Sequence, residues 1–136
     1  MASLGSTTGT PVVLTIAGFD PSSGAGITAD LRVIGSLGCY GMACITALTV
    51  QNPSEMDRTE PVSAQLVTQT LEKLVRTADF AAIKVGMLGT SQIGTAVADF
   101  LADHRSPKVV LDPIIRSSSG FELTDQGGQE IGRAHV

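Results

Sequence analysis

Four apolar segments of this 136-residue chain each end at a polar, glycine or methionine residue that could contribute to a binding site. In chain order these residues are Gly18 and Asp20, Gln51, Met87, and Asp112. A glutamine amide offers a donor and an acceptor side by side, which suits a heterocycle edge carrying the complementary pair. A methionine can pack flat on such a ring, and a carboxylate can lie near a metal-bound phosphate. Each also has an ordinary structural role: a strand cap, core filling or the start of a turn.

Residues 18–26 (GFDPSSGAG) form a glycine-rich segment between an apolar run and a helical pattern. Backbone amides at a helix N-terminus attract anions, and glycines let a ligand approach the backbone. No Lys-Ser/Thr pair follows Gly26, and the glycine spacing is not that of the dinucleotide-binding fingerprint. The segment suits either a ligand or a tight turn. Asp30 in the following helix is either a solvent-facing carboxylate or one that orients a hydroxyl or an amine.

Hydrophobic periodicity predicts the elements that must position these residues. Short apolar, β-branched runs predict buried strands at 12–17, 43–50, 81–85 and 109–111. Helical spacing predicts helices at 25–37, at 62–78 and after Thr90 or Ser91, the first of them ending at Gly38. This alternation predicts an α/β fold, a parallel sheet with helices on both faces. Ligands bind beyond the carboxyl ends of such strands, where the polar residues lie.

The composition restricts the classes of function. Hydrophobic residues make up 43% of the chain and charged residues 16%, which indicates a folded domain. The net charge is −4 and no Lys/Arg cluster is present, so we expect neither nucleic acid nor a membrane as partner. Residues 1–11 are expected to form a disordered tail without a signal peptide, which favours a cytoplasmic location. Cys39 and Cys44 are expected to be buried free thiols rather than a disulfide or zinc ligands.

Several segments resemble the bifunctional hydroxymethylpyrimidine and phosphomethylpyrimidine kinases of thiamine biosynthesis, which belong to the ribokinase-like superfamily. The resemblance extends from about residue 12 to residue 120. Its main blocks keep the family's order and spacing, and they are residues 14–27, 29–31, 45–52 (ITALTVQN), 84–88 (KVGML) and 110–113 (VLDP). Four such blocks in order are far more specific than any one of them.

The resemblance implies a three-layer, Rossmann-like ribokinase fold, with residues 12–130 as the N-terminal part of one kinase domain that is incomplete at its C-terminus. It implies phosphorylation of 4-amino-5-hydroxymethyl-2-methylpyrimidine and then of its monophosphate, with ATP and Mg²⁺ as cofactors and a homodimer at full length. Asp112 would lie near the phosphate and metal. The remaining positions that match the family's substrate site are Gly18, Ala25, Asp30, Gln51, Met87 and Ile114.

The chain departs from the family pattern in two ways. Phe19 stands where the family has a small Ser or Thr, and Ser23 replaces a glycine, which could stiffen the loop. Nothing matches the C-terminal Gly-Thr-Gly-Cys-like anion hole, so no catalytic residue is expected in this chain. Residues 131–136 (IGRAHV) are the translation of one reading frame of a common sequencing adapter. We expect them to be read-through and the source gene to continue.

Two other functions remain open at this point. One is a pyridoxal or pyridoxine kinase, which shares the sheet and the Asp-Pro turn, although Gln51 and the glycine-rich segment favour the aminopyrimidine. The other is a pyrimidine-binding half-domain without catalysis, because the chain keeps the pocket positions and lacks the catalytic ones. Turnover of the two substrates separates the kinases, and binding without ATP characterises the half-domain.

Overall fold

The computed structural model describes residues 9–106 and 108–112, which form a five-stranded sheet in the order β3-β2-β1-β4-β5 with three helices. The strands are β1 (Val12–Phe19), β2 (Tyr40–Gln51), β3 (Met56–Pro61), β4 (Phe80–Val85) and β5 (Val109–Leu111). The helices are α1 (Gly26–Ser36), α2 (Ala64–Val75) and α3 (Ser91–Asp103). The expectations for residues 113–136 and for the first eight residues lie outside the described residues.

The predicted parallel sheet with helices on both faces is confirmed. β1 pairs in parallel with β2 on one side and with β4 on the other, and β4 pairs in parallel with β5. The chain runs from β1 through α1 to β2 on one side of β1, and from β3 through α2 to β4 on the other side. Because such crossovers are right-handed, α1 lies on one face of the sheet and α2 lies on the other with α3.

The main core lies between the sheet and the pair α2 and α3. Leu14 and Ile83 of the sheet meet Leu71 of α2 and Ile93 of α3 there, and all four are at most 1% exposed. On the opposite face, a Cβ at Gly41 would lie 2.6 Å from Leu31 Cδ2. The absence of a side chain at this position therefore lets α1 pack closely on β2.

The edge strand β3 was not predicted, and it corrects the predicted start of the second helix. Residues 56–61 (MDRTEP) pair antiparallel with the end of β2, and Arg58 and Glu60 form an exposed ion pair at 3.1 Å. The segment is polar because it has one neighbour and a solvated face, so it lacks the apolar alternation of a buried strand. Pro61 therefore ends a strand, and α2 begins at Ala64, capped by the Ser63 hydroxyl, which accepts from Leu66 N at 3.1 Å.

The predicted end of the first helix and start of the third are confirmed, whereas α2 ends at Val75, three residues before the predicted end at 78. Gly38 has φ +76°, and its N–H donates to Gly35 O while Cys39 N donates to Ile34 O. These two bonds form a Schellman motif, in which the left-handed residue is almost always glycine. Thr90 caps α3 by accepting from Ile93 N at 3.2 Å. No helix within the described ranges has the length and apolar character needed to cross a membrane.

The two cysteines are free thiols, as predicted, but only one is fully buried. Cys44 is 1% exposed in the core, and burial raises the pKa of its thiol from 9.0 to about 11. The Cys44 thiol is thus protonated at neutral pH and behaves as a small apolar side chain. Cys39 is partly exposed just after α1.

Candidate functional site

The carboxyl ends of the parallel strands gather most of the predicted site residues at one edge of the sheet. Gly18 lies at the end of β1, Gln51 at the end of β2 and Met87 just beyond β4. Gly86 N donates to Ile16 O at 2.8 Å, which ties the segment after β4 to the end of β1. This edge is where ligands bind in open parallel sheets.

Gly18 and Met87 are in direct contact. A Cβ placed on Gly18 would collide with Met87 Cε, so the thioether packs against the bare glycine backbone. Met87 is 6% exposed, and its carbonyl accepts the Thr46 hydroxyl at 2.6 Å. Met56, the register partner of Gln51, packs against the small cluster of Met87 and Ala47. Met56 and Met87 thus form an apolar wall at this end of the sheet, with Met56 directly opposite Gln51 in the strand register.

The Gln51 amide is held by a short chain of hydrogen bonds. Gln51 Nε2 donates to Thr49 Oγ1 at 2.7 Å, and Thr49 Oγ1 donates to Phe19 O at 2.8 Å. Gln51 is partly exposed, whereas Thr49 is only 9% exposed. The amide at the end of β2 is therefore connected to the start of the glycine-rich segment.

The glycine-rich segment folds around the side chain of Asp20. This carboxylate is 4% exposed and accepts four hydrogen bonds. Ser22 N and Ser22 Oγ donate to Oδ1 at 2.7 and 2.6 Å, and Gly24 N and Ala25 N donate to Oδ2 at 3.1 and 3.0 Å. The amides of Gly24 and Ala25, which the sequence suggested as anion-binding groups, are thus satisfied by the protein's own carboxylate. Ala25 itself is the exposed N-cap residue of α1.

Ser23 occupies the left-handed region of the same segment, with φ +63°. Glycine reaches this region without steric penalty, whereas a residue with a Cβ is strained there. Ser23 N donates to Asp20 O at 3.2 Å, which closes the turn. Ser23 therefore holds, at some cost in backbone strain, a conformation that glycine would adopt freely.

The Asp30 carboxylate is bonded to other side chains of the protein, so it is not a free, solvent-facing group. Its Oδ2 accepts the Thr15 hydroxyl at 2.6 Å and forms an ion pair with Lys84 Nζ at 2.8 Å. Thr15 and Lys84 are register partners on β1 and β4, so the carboxylate of α1 bridges two central strands. The Lys84 ammonium would lie 3.0 Å from a Cβ at Gly86, so the lysine side chain extends toward the site edge. A role for Asp30 in substrate binding stays a prediction.

We predict that Lys84→Met destabilises the protein by about 2 kcal/mol, because it leaves the Asp30 carboxylate without its cation. The two side chains are 24% and 19% exposed, so water offsets part of the cost of a fully buried unpaired charge. Urea unfolding followed by circular dichroism measures the change. Lys73→Met, at an exposed position in the last turn of α2, is the matched control and should change stability by less than about 0.5 kcal/mol. Equal stability of the two variants would show that the ion pair contributes nothing.

Asp112 follows β5 at the same edge, where its N–H donates to Val85 O at 2.8 Å and its side chain is exposed. Ile114 lies outside the described residues. Within residues 9–106 and 108–112, no group of three or more His, Cys, Asp or Glu is placed to hold a metal ion. Asp112 alone supplies too few oxygen ligands for Mg²⁺, which prefers six.

Asp20, Lys84 and Thr49 are the site residues whose roles the sequence reasoning missed. Lys84 carried a usable signal, since a lysine within an otherwise apolar central strand must find a charge partner. The sequence placed Asp20 at the predicted site edge but gave no sign of its partners, and Thr49 carried no comparable signal. An Asp-Pro-Ser turn and a strand threonine are common, and their partners at the site become evident only once the chain is folded.

Three comparisons relate this chain to known proteins. The family model described as phosphomethylpyrimidine kinase matches residues 20–134. A hydroxymethylpyrimidine/phosphomethylpyrimidine kinase of Aquifex aeolicus is 39% identical over 120 residues, which cover 88% of this chain and 47% of the relative. The crystal structure of a Clostridium difficile phosphomethylpyrimidine kinase superimposes with a TM-score of 0.83 at 33% identity, covering 90% of this chain and 53% of that one.

A pyridoxal kinase from Staphylococcus aureus, in complex with AMP-PCP and pyridoxal, superimposes with a TM-score of 0.68 at 33% identity, and the same kinase with AMP-PCP alone superimposes with a TM-score of 0.78 at 29% identity. The first comparison covers 76% of this chain and 39% of the kinase, and the second covers 93% and 45%. The chain spans 47% of the Aquifex aeolicus relative and 41% of a Haemophilus influenzae relative, and as little as 16% of a multifunctional relative from Corynebacterium glutamicum. The predicted ribokinase-like fold is confirmed by these neighbours, and the family model covers most of the chain. The chain belongs to the phosphomethylpyrimidine kinase family.

Proposed function

We propose that this chain supplies the substrate-binding part of a kinase that phosphorylates 4-amino-5-hydroxymethyl-2-methylpyrimidine and then its monophosphate. The observation that carries the proposal is the Gln51 amide, held at the sheet edge opposite Met56, which packs with Met87 in an apolar wall. An amide can pair with the amino group and ring nitrogen of the pyrimidine, and thioethers pack well on a flat ring. The names of the family's members support the same substrate class.

ATP is the proposed phosphoryl donor, in keeping with the AMP-PCP complex of the structural neighbour. Mg²⁺ would accompany it, and since the described residues provide no complete metal site, the remaining ligands would come from outside the described residues. Phosphoryl transfer depends mostly on positioning and on stabilising the charge of the transferred group. In this proposal the described residues bind and orient the pyrimidine, with Asp112 near the phosphate. A cytoplasmic homodimer is the further expectation from the family resemblance.

The test is a fusion of residues 1–112 to the C-terminal half of the Aquifex aeolicus relative. We expect the fusion to form ADP in the presence of ATP, Mg²⁺ and the aminopyrimidine, with the phosphorylated pyrimidine detected by mass spectrometry. Gln51→Leu in the fusion should lower kcat/KM about a hundredfold, because two hydrogen bonds to the ring are lost. The unmodified Aquifex enzyme is the control for the assay. A folded fusion that turns over nothing, beside an active control, would contradict the proposal.

Pyridoxal phosphorylation is the second candidate, favoured by the likeness to the Staphylococcus aureus pyridoxal kinase. The same fusion distinguishes the two activities, because pyridoxal and the aminopyrimidine can be offered at equal concentrations. We expect the aminopyrimidine to be preferred. A non-catalytic half-domain is the third candidate, and it would be supported if the 136-residue chain bound the pyrimidine tightly while the fusion stayed inactive.

A further inference from the structure

A glutamine amide cannot by itself distinguish an amino from an oxo heterocycle. Rotation of its terminal torsion by 180° exchanges the oxygen and the nitrogen at almost no change in shape. An aminopyrimidine presents an amino donor beside a ring-nitrogen acceptor, and the corresponding pyrimidinone presents a carbonyl acceptor beside an N–H donor. A freely rotating Gln51 would pair equally well with both rings, so selectivity requires a neighbour that holds the amide in one orientation.

Thr49 is that neighbour. Its hydroxyl has a single proton, and Phe19 O at 2.8 Å is a carbonyl that can only accept, so the Thr49 proton is committed to Phe19. Thr49 Oγ1 can then only accept from Gln51, and the atom 2.7 Å away must be Nε2 rather than Oε1. The Gln51 orientation therefore follows from hydrogen-bond chemistry and not from shape alone.

The opposite orientation is penalised by burial. With Oε1 turned toward Thr49, the hydroxyl would have to donate to Gln51, and Phe19 O would lose this hydrogen bond. Thr49 is 9% exposed and its hydrogen bond to Phe19 O is partly buried, so water replaces the lost bond only in part. The network thus leaves Gln51 Oε1 available as an acceptor for a ligand amino group.

We propose that Thr49 is the residue that sets the selectivity of this site for 4-aminopyrimidines over 4-oxopyrimidines, through its control of the Gln51 amide. The inference rests on the proposed function for its substrate class, but the orientation of Gln51 can be measured without any ligand. Thr49 acts through Gln51, so it is a positioning residue.

The first arm of the test is nuclear magnetic resonance of the ligand-free 136-residue chain. A Gln51 Nε2 proton should resonate downfield of the other glutamine side chains in the wild type and in Thr49→Ser, and at the ordinary position in Thr49→Val. Thr70→Val is the matched control, because the Thr70 hydroxyl also donates to a backbone carbonyl, Leu66 O at 2.8 Å, on α2. An ordinary Gln51 resonance in the folded wild-type chain would overturn the proposal, whatever the variants do.

The second arm compares the dissociation constants of 4-amino-5-hydroxymethyl-2-methylpyrimidine and of its 4-oxo analogue for the same proteins. The amino-to-oxo selectivity should fall about tenfold in Thr49→Val, the factor expected from one hydrogen bond, and should be kept in Thr49→Ser and Thr70→Val. Unchanged selectivity in a folded Thr49→Val variant would also overturn the proposal. If the wild type binds neither ring, the proposed function fails for this chain and the resonance of the first arm alone decides whether Thr49 orients Gln51.

Discussion

Gly26→Ala is expected to destabilise the protein by about 3 kcal/mol and to abolish pyrimidine binding. Gly26 has φ +62°, and a Cβ there would overlap the carbonyl oxygen of Gly18. The left-handed backbone conformation costs a non-glycine residue roughly 1 kcal/mol. The overlap adds about 2 kcal/mol, because the Gly18 carbonyl belongs to β1 and cannot move away from the new Cβ. Phe19 and Gly26 form a β-bridge, so a shift at Gly26 moves the end of β1 and the site edge together.

Thermal or urea unfolding of Gly26→Ala measures the first effect, and titration with the aminopyrimidine measures the second. Gly35→Ala is the matched control within the same helix. Nothing lies within 4 Å of a Cβ at Gly35, so alanine should there stabilise the helix by about 0.5 kcal/mol. Opposite signs for the two variants are the expected result. A Gly26→Ala variant as stable as Gly35→Ala would mean that the path of the glycine-rich segment differs from the one described.

Asp20→Asn is expected to destabilise the protein by about 3 kcal/mol, although it replaces one oxygen by nitrogen at unchanged size. Both carboxylate oxygens accept two hydrogen bonds each, from Ser22 on one side and from Gly24 and Ala25 on the other. The amide nitrogen must face one of these pairs, which puts a donor against donors in a site that is 4% exposed. The loss of charge-assisted hydrogen bonds together with unsatisfied backbone amides gives the expected magnitude.

Urea unfolding again provides the measurement, with Asp99→Asn as control, since Asp99 is exposed on α3. The control should stay within about 0.5 kcal/mol of the wild type. Asp20→Asn should also weaken pyrimidine binding, because residues 20–25 connect β1 to α1 beside Gly18. If Asp20→Asn unfolds at the same urea concentration as Asp99→Asn, the segment is not organised by this carboxylate.

The two predictions together describe how the glycine-rich segment is built. The Asp20 carboxylate occupies the position that a bound phosphate takes in anion-binding loops at helix N-termini. The segment thus carries its own anion, and its Gly24 and Ala25 amides are already satisfied. Its contribution to a ligand site is then the close approach that Gly18 allows, next to Met87, rather than an amide cradle for phosphate.

The sequence by itself determined the alternation of strands and helices, and with it the edge at which the site lies. Burial of apolar side chains has a period of 2 in strands and 3.6 in helices, and both periods are local properties of the chain. Helical crossovers make the strands parallel, so their carboxyl ends lie at one edge, which is why Gly18, Gln51 and Met87 could be grouped from the sequence. The caps at Gly38 and Thr90 were also local signals.

Only the tertiary structure decided which polar groups meet. Lys84 pairs with Asp30, which lies 54 positions away in the sequence, and Thr49 donates to Phe19 O, 30 positions away. Such pairs depend on strand register and on how a helix is rotated against the sheet, neither of which hydrophobic periodicity specifies. The edge strand β3 escaped prediction for a related reason, since a polar strand with one solvated face forms only because β2 offers it a partner. Hydrophobic periodicity therefore predicted where the site lies. Its hydrogen bonds could be assigned only from the folded structure, because they join segments that are distant in sequence.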